Sequence, residues 1–180
     1  MAGLTTTAAY SLTATNIGLL TSTQVGTLSA AQIGVFTSTE VQAFTTTQAN
    51  ALTATQLKGL TSTALGNFST TQLGALSAAQ TQALTTTQLN ALSAGNLNAL
   101  TVTELSTAQV AGLTTTAVDS FTATNIGLLT AGQVSSLSTA QIGVFTSTEV
   151  QAFTTTQANA LSANQLKVQA ADRLCLLGPA

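Results

Sequence analysis

A chain of 180 residues has room for one domain or one continuous repeat array. Only 4% of its residues are charged, against about 25% in an ordinary globular domain, so its surface must be built mainly of hydroxyl and methyl groups. Three basic residues (Lys58, Lys167 and Arg173) and a formal net charge of −2 exclude the clustered cationic footprint that nucleic acid requires.

From the N-terminus, MAGLTTTAAY has neither a basic region nor an apolar core of the kind a secretory signal carries, so no signal is expected there. No apolar run approaches the roughly 18 residues of a membrane span. At Leu4 an eight-residue repeat begins and runs without interruption to Ala99. A five-residue fragment, LTVTE (100–104), breaks the phase. Octads resume at Leu105 and end at Val168, twenty full units in all, and QAADRLCLLGPA leaves the pattern. The sequence reading is therefore one octapeptide-repeat array over 1–168 with a phase break at 100–104, then a non-repeat tail over 169–180.

Each octad has Leu or Phe at position 1 and Thr or Ser at position 2. Position 4 is small, and position 5 is usually Gln or Glu (Gln24, Gln32, Glu40, Gln48, Gln56). Position 6 is mostly aliphatic (Ile17, Val25, Ile33, Leu57), and position 7 is often Gly or Asn. A longer repeat lies above this one, since residues 4–58 reappear as 113–167. The stretch AQIGVFTSTEVQAFTTTQANAL is identical at 31–52 and 140–161.

The octad reads as a helix start. A hydroxyl residue followed three positions later by Gln or Glu is a capping box, and the apolar residues at positions 1 and 6 form the hydrophobic staple around it. Gly or Asn at position 7 is expected to supply a left-handed residue that ends the helix. The predicted unit is a helical turn of about five residues and a bend, too short to be stable alone. Stacked in series, such turns make an all-α solenoid. Positions 1 and 6 should line its seam, helped by position 8 (Val35, Ala43, Ala51), with positions 3 and 4 facing outward or toward a neighbour. The alternative is a β-solenoid, because Thr, Val and Ile favour strands. Against it, positions 1 and 6 have opposite parity and would fall on opposite faces of a strand.

Each octad offers about three apolar side chains to pay for ordering eight residues, which leaves a single thin solenoid marginal. Further burial is expected from coil on coil or chain on chain. An open solenoid also has two ends that normally need polar caps. The tail is expected to supply a self-assembly contact, with Leu174, Cys175, Leu176 and Leu177 docking onto the first octads, from Leu4, of a second copy. The alternative is that the tail folds back as a local cap. Cys175 is either a plain buried residue or an inter-chain disulfide partner. The LTVTE fragment is expected to keep the two halves in register across a lateral contact.

Catalytic chemistry is hard to assemble from these residues. The acids are Glu40, Glu104, Asp119, Glu149 and Asp172, and Glu40 and Glu149 occupy the capping-box position of duplicated blocks. Lys58 and Lys167 are likewise duplicates, at solvated turn positions. With no His and one Cys, no ordinary zinc ligand set exists within one chain. Glycines occur singly, so no phosphate-cradling loop is present. Phe36, Phe44 and Phe68 all stand at position 1 and read as core. No enzyme, cofactor, metal site, nucleic-acid partner or small-molecule substrate is expected.

The pattern L-[TS]-x-x-Q-[LIV]-x-[AL], as in LTTTQLNA (84–91) and LSAAQIGV (28–35), resembles octapeptide arrays of very large bacterial surface or secreted, adhesin-like proteins. The resemblance covers about residues 4–168 and implies an extracellular or cell-surface setting with a structural or adhesive role. Three functions follow as expectations. The first is a structural protein that self-assembles into an extracellular filament, as in a biofilm matrix. The second is an ice-binding protein using regularly spaced Thr-x-Thr. The third is a passive stalk of an adhesin.

Overall fold

The computed structural model describes residues 3–168, and among them every regular element is helical. The chain divides into two compact units at Glu104/Leu105, the end of the phase break. Each is a solenoid of short helices, one per octad, so the all-α reading holds and the β-solenoid does not.

In the first unit the order is α1 (Thr6–Tyr10), α2 (Ala14–Gly18), α3 (Ser22–Gly26), α4 (Ala30–Gly34), α5 (Ser38–Gln42) and α6 (Thr46–Asn50). There follow α7 (Ala54–Gly59), α8 (Ser62–Gly66), α9 (Thr70–Gly74), α10 (Ala78–Ala83), α11 (Thr86–Ala91) and α12 (Ala94–Ala99). The phase break forms a 3-10 turn, Val102–Glu104. The second unit holds α13 (Thr107–Ala111), α14 (Thr115–Asp119), α15 (Ala123–Leu128), α16 (Ala131–Ser136), α17 (Thr139–Gly143), α18 (Ser147–Gln151) and α19 (Thr155–Asn159), then a helical turn over 163–168.

Every helix α1–α19 starts on an extended Thr or Ser whose side chain accepts the backbone N–H three residues on. In α3, Thr21 accepts from Gln24 N while the Gln24 side chain accepts from Thr21 N, a complete capping box. Such a cap contributes about 1 kcal/mol, which a five-residue helix cannot replace from its own few backbone bonds. Packing supplies the rest. Helix n lies on helix n+3, as α1 on α4, α2 on α5 and α3 on α6 in the first unit, and α13 on α16, α14 on α17 and α15 on α18 in the second. A coil of either unit therefore takes between three and four octads.

The core is the seam of positions 1 and 6. Ile33, Phe36, Val41, Phe44, Leu57 and Leu65 are buried in the first unit, and Val110, Phe121, Ile126, Val134 and Ile142 in the second. Consecutive position-1 rings meet edge to face in both: Phe36 and Phe44 at 6.1 Å, Phe145 and Phe153 at 5.8 Å. Position 8 does less than its apolar residues imply, because Val35, Ala43 and Ala51 are only half-buried.

The glycines at position 7 do not end helices through a left-handed conformation. Helix α2 closes on Leu19 at φ −87° and α3 on Thr27 at φ −96°, both right-handed. In α7, α10, α11 and α12 the helix ends on an extended position-1 Leu, as Leu60 at φ −68° and ψ 147°, and the extended Thr or Ser that caps the next helix follows at once. The glycines instead allow close approach of the following coil. A Cβ on Gly26 would stand 3.1 Å from the Ala51 carbonyl oxygen, and one on Gly127 3.1 Å from that of Ala152.

At the phase break Val102 is buried and Glu104 points back into the first unit. The buried hydroxyl of Thr81, which holds position 6 where other octads have an aliphatic residue, donates to the Glu104 carboxylate at 3.4 Å.

Candidate functional site

The position-5 side chain has a second task beyond the capping box. Its Oε1 takes the cap N–H, and its Nε2 donates across to carbonyls that end a helix of the coil before, 28 to 31 residues earlier. Gln72 accepts from Ser69 N at 2.9 Å and donates to Val41 O at 2.9 Å and Phe44 O at 2.7 Å. Gln88 donates to Leu57 O and Leu60 O, both at 2.8 Å. In the second unit Gln133 donates to Leu105 O at 2.7 Å, and Gln157 to Leu129 O at 2.6 Å and Ile126 O at 2.9 Å. These amides are almost fully buried, Gln72 2% and Gln133 1% exposed. One amide thus starts its own helix and finishes another, satisfying backbone groups that a short helix leaves open.

Where the octad lacks Gln the rung changes. Ala64 cannot donate, and Asn67 Nδ2 reaches Phe36 O instead, at 3.3 Å. Asn96 serves with its shorter amide, at 3.2 Å to both Gly66 O and Phe68 O. Glu40 and Glu149 keep the capping box, accepting from Thr37 N at 2.8 Å and Thr146 N at 2.7 Å. A carboxylate brings no N–H to the carbonyls of Leu12 and Phe121, which lie 28 residues before it.

The first unit has a rim at its start, and the second has one at the end of its described residues. In the first coil, α1–α3, no coil lies beneath among the described residues. Gln24 is exposed, its Nε2 donating to no backbone carbonyl, and Asn16 is exposed too. Leu4, Leu12 and Leu20 are half-buried, whereas later position-1 residues such as Leu28 and Phe36 are buried. The last described coil shows the opposite face. Gln157 and Gln165 are buried, while Val150 is half-buried and Leu166, at position 6, is 49% exposed. The largest exposed apolar side chains in the first unit, Tyr10 at 70% and Leu19 at 78%, both belong to the first coil.

Of the residues expected to assemble, Leu4 lies on the first rim, half-buried, with its carbonyl accepting from Gln32 Nε2. Leu174, Cys175, Leu176 and Leu177 lie outside the described residues, as does Asp172. The acids are dispersed. Asp119 is exposed on α14, and with Thr115, Thr116 and Val144 it lines an open concavity of about 340 Å³ that offers hydroxyls and one carboxylate. Lys58 and Lys167 are exposed. Among the described residues no three His, Cys, Asp or Glu side chains gather to hold a metal, and no helix is long and apolar enough to cross a membrane.

The rung was missed in the sequence because a Gln spaced three from a hydroxyl already has a sufficient reason to be there. The available signal was the recurrence of Gln itself at position 5, in twelve of the twenty octads, where Glu would complete the capping box equally well. Compared with protein-family models, curated proteins and solved structures, the chain matches none.

Proposed function

We propose that this protein is a structural subunit that self-assembles into a filament outside the cell or on its surface. The observation that carries the reading is the outer face. Positions 3 and 4 present Thr, Ser and Ala to solvent at eight-residue intervals, with eight charged residues in 180 to keep copies apart. Few like charges mean little repulsion between neighbours and a weak barrier to close packing. The resemblance to bacterial surface arrays supports the setting.

Negative-stain electron microscopy with sedimentation across a concentration series tests it. Uniform fibres that lengthen with concentration are expected. A monomer that stays dispersed at high concentration would refute the reading and favour a passive stalk.

A further inference from the structure

We infer that the assembly contact is head to tail and continues the amide ladder, the first described coil of one copy seating on the last described coil of another. The inference rests on the self-assembly reading and names its surface. Within each unit, position 6 of one coil is covered by the coil after it, and position 5 by the coil before it. Gln48 of α6 donates to Gly18 O at 3.3 Å, at the end of α2, above the buried Ile17. Gln157 donates likewise to Gly127 O at 3.2 Å, at Ile126 of α15. The first coil shows what a preceding coil would cover, the amides of Asn16 and Gln24 and the half-buried Leu12 and Leu20. The last described coil shows what a following coil would cover, Val150, Leu166 and the half-buried Phe153 and Leu161.

The two faces are complementary in chemistry. Amide donors and position-1 Leu meet helix-ending carbonyls and position-6 aliphatics, the same pairing that joins coils inside each unit. The occupant the chemistry selects is therefore a second copy of this chain. A partner without helix-ending carbonyls at octad spacing would leave the Asn16 and Gln24 amides without acceptors on burial, which costs more than it gains. The contact is heterologous, so each copy keeps a free rim for the next and the assembly grows beyond a two-fold dimer.

The test uses the full 180-residue chain and two rim variants. Asn16→Asp with Gln24→Glu turns the donors into acceptors. It leaves folding intact, because Glu40 shows that a carboxylate completes the capping box at this position. Leu166→Glu places a charge on the opposite rim. Each variant should keep the wild-type helical circular dichroism and raise the critical concentration for assembly at least about tenfold, a loss of one strong contact. Mixed in equal amounts, the two should form a dimer through their intact rims and stop there. Assembly of both variants at the wild-type concentration would overturn the head-to-tail ladder and leave the filament reading standing. Failure of the wild type to assemble would remove both. Assembly lost on deleting residues 169–180, with both rim variants unaffected, would assign the contact to the tail instead.

Discussion

Residues 12–26 and 121–135 descend from the same block, yet their burial differs. Gln24 and Gln133 are equivalents, each preceded by a capping Thr, Thr21 and Thr130. Gln133 is 1% exposed and spans two coils, while Gln24 is exposed and caps its own helix only. Leu129 is buried and Leu20, its equivalent, is half-buried. The octad alone therefore sets the helix start, and the neighbouring coil sets how much of the octad is used. Stability in such a stack is a local turn plus a nearest-neighbour term, and the two copies separate these terms.

The largest effect should come from the seam. Leu129→Ala removes a buried side chain and should cost about 2–5 kcal/mol, while Leu20→Ala should cost less than half as much. Urea midpoints of the two variants check it, and equal losses would contradict the nearest-neighbour account. Next comes the rung. Gln133→Ala strands the carbonyl of the buried Leu105, at roughly 1–3 kcal/mol, and forfeits part of the capping box at the exposed Thr130, so it should cost about 2–3 kcal/mol. Gln24→Ala forfeits part of a capping box and should cost about 0.5–1 kcal/mol.

A gain of about 1 kcal/mol is expected from Glu149→Gln, which supplies an N–H to the Phe121 carbonyl. Gln141→Glu should lose at least that, and thermal denaturation of the pair at neutral pH would sharpen the comparison. The smallest effect is at glycine. Nothing lies within 4 Å of a Cβ on Gly34, so Gly34→Ala should gain about 0.5–1 kcal/mol from helix propensity. Gly127→Ala meets the Ala152 carbonyl at 3.1 Å and should forfeit that gain. Calorimetric melting temperatures that rise equally in both would show that the coils separate easily.

Much of this architecture was legible in the sequence. Thr21 with Gln24 and Leu28 with Ile33 announce box and staple, because both depend on residues within six positions of one another. The half-buried state of Val35 and Ala43, and the role of Gly26 and Gly127 as contact points rather than helix stops, were not legible. Each depends on a carbonyl or side chain about 25 residues away.

The sequence by itself determined the helical unit, its period and the duplication, since caps and staples are short-range and each octad carries its own. Only the tertiary structure decided that a coil takes between three and four octads, and hence which carbonyl each Gln reaches. That choice depends on how successive bends add up in space. It makes Gln72 a buried rung, lets Asn67 stand in for Ala64, and leaves Gln24 at the rim with its amide turned outward.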